Sequence, residues 1–197
     1  MILPTTYFGN IRYFTELCSS PEAIISHGEF YKKQTYRNRC TILTANGPQD
    51  LSVPVERSFD SQTPVSDIKI SYAQNWMKDH LGALRSAYAN SPYFEYYVDD
   101  ISKILLARPE KLVSLNQQLL EFLVGKLGLS NSIIFSDESV VINDSSETLI
   151  DPGKRAEFEQ PPHRQVFGDR WGFQKNLCVV DLLFNEGPEA INYLKSD

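Results

Sequence analysis

The sequence predicts an α+β fold in a single domain, with an N-terminal mixed or antiparallel sheet packed against a helical half. Two observations predict this class. Residues 1–72 carry short alternating apolar runs between turn residues, and residues 73–128 carry apolar residues at the 3.6-residue period of helices. A chain of 197 residues suits one domain and can bury a core without disulfide or metal staples.

The predicted strands lie in the first part of the chain. Residues 3–14 are typical of a core strand that turns into a helix. Residues 22–31 predict a strand running into a loop, residues 38–45 a second strand rich in Thr and Ile, and residues 67–71 a short alternating strand. These runs supply the sheet that the helices are expected to cover.

One turn is ambiguous because two signals meet there. Asn46-Gly47 is a strong hairpin signal, but Pro48 follows it and lacks a backbone donor. We therefore expect a wider loop here rather than a tight two-residue hairpin. Pro54 is expected to shorten the next strand or to confine it to an edge.

Three helices are predicted in residues 73–128. The third is expected to start near Pro109 and to stop at Gly128. The apolar stripes are Met77, Leu81, Leu84 and Tyr88 in the first, Phe94, Val98, Ile101 and Leu105 in the second, and Leu112, Leu115, Leu119 and Phe122 in the third. His80 lies among the apolar residues of the first stripe, so we expect a core histidine there.

Residues 129–197 form a mixed part that is predicted to end in two helices, separated at Gly187-Pro188. The apolar run 140–142 predicts a short strand between acidic residues. Residues 151–164 form a long irregular loop, which is typical of a functional lid or of a mobile connector.

Composition excludes several classes of protein. The net charge of −6 argues against a protein that coats nucleic acid, and the longest apolar runs are too short for a membrane span. Three widely spaced cysteines and an N-terminus without signal-peptide features predict a cytoplasmic protein. The three histidines lack metal-ligand spacing, so no metal site is predicted. Neither a cofactor nor an oligomeric state can be assigned.

The densest polar cluster is residues 27–39, which hold four basic residues and one acidic residue. Guanidinium and ammonium groups bind phosphate and carboxylate, so this segment predicts an anion site for a ligand such as a nucleotide sugar or an acyl donor. Within it, His27 and Glu29 are the candidate acid/base pair. The predicted binding residues are Tyr7, Tyr31, Lys32, Gln34, Tyr36, Arg37, Asn38, Arg39 and, on the candidate lid, His163.

Two other interpretations of the same residues stay open. A basic hairpin could instead pair with the acidic remainder of the chain and serve stability alone. The site could also bind a glycan intermediate or a partner enzyme without catalysing a reaction.

Several segments resemble the WbqC-like family, in the same order across nearly the whole chain and most closely in its Bacteroidetes-type branch. They are Pro4-Thr5-Thr6-Tyr7-Phe8, Lys33-Gln34-Thr35-Tyr36-Arg37-Asn38-Arg39, Asn46-Gly47-Pro48-Gln49, Asn75-Trp76, Ser91-Pro92-Tyr93-Phe94 and Asp181-Leu182-Leu183-Phe184-Asn185. Many relatives begin with Gln-Pro where this chain has Leu3-Pro4, so any ligand contact of that Gln is missing here.

The resemblance implies a bacterial protein linked to O-antigen or lipopolysaccharide biosynthesis. It further implies a possible transferase that adds an acyl or aminoacyl group to an activated amino sugar. The family supplies no established catalytic residues, so the site residues rest on the sequence pattern of this chain.

Overall fold

Two sheets carry the strands in a computed structural model of the protein, which describes residues 1–56, 60, 62–138 and 144–195. The strands are β1 (Ile2–Pro4), β2 (Glu22–Ser26), β3 (Arg39–Thr44), β4 (Gly47–Ser52) and β5 (Ser132–Ser136). β1, β2 and β5 form a parallel sheet in the order β1-β2-β5, whereas β3 and β4 form a separate antiparallel hairpin.

The helices cover these sheets and connect them. They are α1 (Ile11–Cys18), α2 (Trp76–Tyr88), α3 (Phe94–Leu106), α4 (Leu112–Leu127), α5 (Asp144–Thr148), α6 (Gly168–Trp171), α7 (Val179–Glu186) and α8 (Ala190–Leu194). Short 3-10 turns occur at Val65–Asp67, Pro152–Glu157 and Gly187–Glu189. The predicted α+β class is therefore confirmed.

The helices predicted from periodicity are present with their apolar faces inward. Phe94, Val98, Ile101 and Leu105 of α3 are all buried. α4 begins at Leu112 rather than near Pro109, and it ends where Gly128 adopts the left-handed conformation with φ 68°. The α7–α8 break also lies at Gly187, as predicted.

The sheet differs from the prediction in one important respect. β5 was not predicted, and it brings a strand from the third part of the chain beside β2, so the larger sheet is parallel. The apolar run 140–142, where a strand was expected, lies outside the described residues. Residues 67–71 do not form a strand either. Lys69 and Ile70 make single bridges to Lys111 and Val55, so their alternation serves two different partners.

The hairpin prediction was wrong. Thr44 pairs with Gly47, which leaves only two residues in the loop, and Gly47 accepts this geometry with φ 98°. Pro48 is tolerated because its partner Leu43 donates its N–H to the hydroxyl of Tyr88 at 3.3 Å and not across the ladder. A missing donor at that position therefore costs no hydrogen bond.

Among the described residues, a continuous apolar core includes side chains from both α1 and α7. The N–H of Ile11 donates to the carbonyl of Leu177 at 3.0 Å, and that of Cys178 donates to the carbonyl of Thr41 at 2.8 Å. Asn10 caps α1 by accepting from the N–H of Tyr13 at 2.8 Å. The segment before α7 is thus bonded both to the start of α1 and to the hairpin.

Candidate functional site

The carboxyl ends of the three parallel strands lie at one edge of the larger sheet. Pro4, Ser26 and Ser136 share one register position, so the next residues of the three strands are neighbours. Ligands of parallel sheets commonly bind outside the carboxyl ends of the strands. We call this region, where the strands end, the sheet edge; the name does not refer to an edge strand.

His27 follows β2 at the sheet edge and is 4% exposed. Its backbone N–H donates to the carbonyl of Ser136 at 2.8 Å, and the ring nitrogen Nδ1 lies 3.5 Å from Oδ1 of Asp137. Burial lowers the pKa of His27, and Asp137 offsets part of that effect. Nε2 of His27 is buried and has no hydrogen-bond partner within the described ranges. The lowered pKa favours the uncharged imidazole over the imidazolium.

Glu29, two residues after His27, forms a buried ion pair with Arg37. Arg37 is fully buried and donates to both carboxylate oxygens of Glu29, from Nε at 3.1 Å and from Nη2. Burial raises the pKa of Glu29, and the Arg37 guanidinium offsets part of this rise. Nη1 of Arg37 is buried and has no partner among the residues that the structure describes.

The expected acid/base pairing of His27 with Glu29 is not present. β2 ends at Ser26 and residues 27–29 bend, so the extended geometry that would align the two side chains is lost. His27 faces Asp137, and Glu29 faces Arg37.

Asn116 of α4 holds the Arg37 loop against the end of β1. Its Nδ2 donates to the carbonyl of Arg37 at 2.8 Å and to Oγ1 of Thr5 at 3.3 Å. Oδ1 of Asn116 and Oγ of Ser26 are also buried without a partner in the described part of the chain. Buried polar atoms are normally hydrogen-bonded, so such a group of atoms in one region calls for an explanation.

An open pocket of about 470 Å³ adjoins the Glu29–Arg37 pair. Two segments form it, residues 32–37 and residues 147–151. Its lining residues are Lys32, Lys33, Gln34, Thr35, Arg37, Glu147, Thr148, Ile150 and Asp151. Nζ of Lys32 donates to both carboxylate oxygens of Glu147, at 2.7 and 2.5 Å. Gln34 holds a positive φ of 60°, a conformation that a residue with a side chain rarely adopts. We call this cavity the basic pocket.

The three tyrosines predicted to bind the ligand are not among the lining residues of the basic pocket. Tyr7 is fully buried in the core, and its hydroxyl hydrogen-bonds Nδ1 of His80 at 2.8 Å. His80 is therefore the core histidine that the sequence predicts. Tyr31 is buried, which raises its pKa to about 12 although Arg37 and Arg39 act in the opposite direction. Tyr36 is buried with its hydroxyl 3.5 Å from Oγ1 of Thr41.

The remaining predicted binding residues have partners elsewhere. Asn38 donates from Nδ2 to the carbonyl of Val53 at 2.8 Å, and Arg39 donates from Nη1 to Oδ2 of Asp50 at 3.2 Å. Together with the Glu29–Arg37 and Lys32–Glu147 pairs, the Arg39–Asp50 pair shows that much of the basic cluster is balanced by acids of the same chain.

His163 is not among the lining residues of the basic pocket. It lies in a buried polar cluster that packs against α7. Its Nε2 is 2.7 Å from Oδ2 of Asp181, and Nε2 of Gln165 donates to the same oxygen at 3.0 Å. The N–H of Arg164 donates to Glu186 at 3.0 Å. The end of the 151–164 loop is thus fastened to α7, and this does not support a lid that opens at His163.

Sequence reasoning missed four residues of the site: Ser26, Asn116, Asp137 and Glu147. If the parallel pairing of β2 and β5 were known, Ser26 and Asp137 would be candidates, because Ser26 ends β2 and Asp137 directly follows β5. Asn116 is a polar residue on the buried side of a helix, which is a visible signal for a structural or binding role.

Two absences apply to the part of the chain that is described. His, Cys, Asp and Glu side chains do not gather there into a group of three that could hold a metal ion. No helix in it has the length and apolar character needed to cross a bilayer.

Comparisons with known proteins agree with the resemblance seen in the sequence. The profile of the WbqC-like protein family matches residues 5–160. Uncharacterized protein Rv1507c of Mycobacterium tuberculosis (strain ATCC 25618 / H37Rv) is 26% identical over 223 residues, which cover 98% of this chain and 96% of that protein. No solved structure matches the chain. The matched range includes β2, β5 and the basic pocket, and the chain belongs to the WbqC-like protein family.

Proposed function

We propose that the protein binds the anionic part of a small molecule, such as a nucleotide sugar or an acyl donor, in the basic pocket. The observation that carries this proposal is Arg37, a residue of the pocket lining whose guanidinium nitrogen Nη1 is buried without a partner within the described ranges. A phosphate or carboxylate oxygen is the group that such a nitrogen binds best.

The charges around the pocket support the same ligand class. Lys32 and Lys33 lie at the lining with Arg37, so an anion placed there would lie near three cationic residues, of which Arg37 is buried behind the lining. Glu147 neutralises Lys32, and the Lys32 side chain is 56% exposed, so an incoming anion would compete with Glu147 for the ammonium group. Binding should therefore weaken as salt rises.

For the reaction, we propose acyl or aminoacyl transfer to an activated amino sugar, within O-antigen or other surface-polysaccharide synthesis. The amine nitrogen would attack the carbonyl carbon of the donor, and the bond from that carbon to the leaving group would break. The amine proton would pass to Nε2 of His27, with Nδ1 facing the orienting Asp137. Glu29 would hold Arg37 in place, as its two hydrogen bonds indicate.

A second candidate function is non-catalytic binding of a glycan intermediate or a partner enzyme. One observation favours it: the His27 side chain is only 5% exposed, so the base reaches a substrate only if the sheet edge opens. The two functions share the basic pocket and differ in whether His27 matters.

The first experiment is a thermal-shift screen with nucleotide sugars, acyl-coenzyme A compounds and inorganic phosphate. A ligand at 100 times its Kd should stabilise the native state by about 2.7 kcal/mol. We expect Lys32→Ala to reduce the shift. The matched control is Lys103→Ala, which removes an exposed lysine of α3 that pairs with Asp100 outside the pocket. Equal shifts in both variants, or no shift with any anion, would refute the proposed site.

The second experiment separates catalysis from binding. A ligand that the screen finds is incubated with amino sugars, and product is followed by mass spectrometry. If transfer occurs and His27→Gln abolishes it while the thermal shift stays, His27 is the base. If the wild-type protein binds the ligand without turnover, the second candidate function is favoured.

A further inference from the structure

A second pocket, of about 310 Å³, lies on the outer face of the β3–β4 hairpin. It is lined by Tyr36, Thr41, Pro48, Asp50 and Pro152. Thr41 and Asp50 face each other directly across the two strands, and Pro48 lies two residues before Asp50 on the same side of β4. We call this cavity the hairpin pocket.

The hairpin pocket and the basic pocket share one wall. Thr35 and Arg37 line the basic pocket, and Tyr36 between them lines the hairpin pocket. The backbone N–H of Tyr36 donates to the carbonyl of Ile150 at 2.8 Å. The segment 150–152 also contributes residues to both pockets. Ile150 and Asp151 line the basic pocket, whereas Pro152 lines the hairpin pocket. The two cavities therefore adjoin the same two hydrogen-bonded segments.

The polar groups of the hairpin pocket are ordered but nearly neutral in sum. Oδ1 of Asp50 accepts from Oγ1 of Thr41 at 2.7 Å, and Oδ2 accepts from Nη1 of Arg39 at 3.2 Å. A carboxylate has about four acceptor positions, so Asp50 keeps some for a ligand. Its side chain is 43% exposed. Because Arg39 balances the carboxylate, the pocket favours uncharged hydrogen-bond donors over cations.

The remaining lining suits the carbon skeleton of such a ligand. The pyrrolidine rings of Pro48 and Pro152 supply apolar surface beside the polar pair. The volumes of small-molecule sites start near 300 Å³, so the cavity is large enough for one compact ligand. A cavity of this size and lining fits a single compact ligand with several hydroxyl groups.

We propose that the hairpin pocket binds a neutral sugar residue whose hydroxyls donate to Asp50 and whose C–H face packs on the two prolines. This site is separate from the basic pocket, and its binding does not require the anion.

The test is saturation-transfer NMR with glucose and N-acetylglucosamine as probes, on the whole chain without any anion. We expect saturation transfer to at least one sugar in the wild-type protein. Asp50→Asn keeps the shape but loses the charged acceptor, and hydrogen bonds to charged groups imply about tenfold weaker binding. Pro152→Trp fills the cavity and should abolish the signal. Asp67→Asn is the matched control, because Asp67 pairs with Lys111 outside the pocket.

The outcomes separate this proposal from the first one. Sugar signals that persist in Lys32→Ala, together with thermal shifts from inorganic phosphate that persist in Asp50→Asn, would show two independent sites. Absence of transfer to both sugars in the wild-type protein would overturn the hairpin site. So would signals that are unchanged in both Asp50→Asn and Pro152→Trp, each confirmed as folded by its circular dichroism spectrum.

Discussion

Replacing Arg37 by methionine should strongly destabilise the protein. The guanidinium is fully buried and neutralises Glu29, so its removal leaves a carboxylate that is 8% exposed without a cation. Breaking a buried ion pair from one side costs about 3–5 kcal/mol. For a chain of this size that corresponds to a fall in Tm of roughly 6–20 °C. Urea unfolding followed by circular dichroism measures the free-energy change directly.

A double-mutant cycle tests whether this cost comes from the ion pair. Glu29→Gln keeps the size of the side chain and removes its charge, so Glu29→Gln combined with Arg37→Met leaves no unpaired charge. We expect the double variant to be more stable than the sum of the two single changes implies, by about 1–3 kcal/mol. Additive costs would mean that Arg37 contributes through packing alone.

The pH dependence gives an independent check on the same pair. The pKa of Glu29 in the folded protein is already raised by burial, and removing the offsetting Arg37 raises it further. A carboxyl with a raised folded pKa contributes stability below its unfolded pKa and loses that stability as pH rises through the folded value. The destabilisation by Arg37→Met should therefore be small in acid and grow toward neutral pH. A cost that is constant from pH 4 to pH 8 would refute the reasoning.

Three other perturbations have defined outcomes. Gly28→Ala places a Cβ on the backbone carbonyls of residues 137 and 138 and should lower the free energy of unfolding. Gly82→Ala adds a Cβ in open space on α2 and should raise the free energy of unfolding by about 0.5–1 kcal/mol. Urea titrations of the two variants measure both changes. Burial lowers the pKa of His80 to about 4, so stability should fall as pH drops from 6.5 to 4, and titrations of His80→Gln should show a shallower fall. Asp181→Asn weakens hydrogen bonds from His163 and Gln165, each worth about 1.5–3 kcal/mol, and should speed tryptic cleavage after Arg164.

Periodicity predicts the helices well because it is a local property. The stripes of α2, α3 and α4 each lie within a few turns, and Gly128 ends α4 through its own backbone freedom. The same locality explains the hairpin error. Pro48 looks unfavourable in a strand until the partner of Leu43 is known, and that partner is the hydroxyl of Tyr88, which lies 45 positions away.

Strand pairing and charge pairing could not be predicted because both depend on distant residues. β5 lies more than a hundred residues after β2 in the sequence. Only the pairing of these two strands brings Asp137 next to His27, so the sequence alone does not place the two residues together. The cluster at 27–39 supplies Glu29, Arg37 and much of the basic pocket, and its role in anion binding stays a prediction. Its acidic partners Asp50 and Glu147 become apparent only in the folded chain.

The bonds between the start of α1 and the segment before α7 set the order of events during synthesis. Residues 177 and 178 must leave the ribosome before Ile11 and Thr41 can form these hydrogen bonds, so the N-terminal core stays incomplete until that point of synthesis. Val179, Leu182, Leu183 and Phe184 are fully buried, although they lie beyond the range that the family profile matches. A fragment that ends near residue 160 would expose this apolar surface and aggregate, so expression of the family's core range alone should fail.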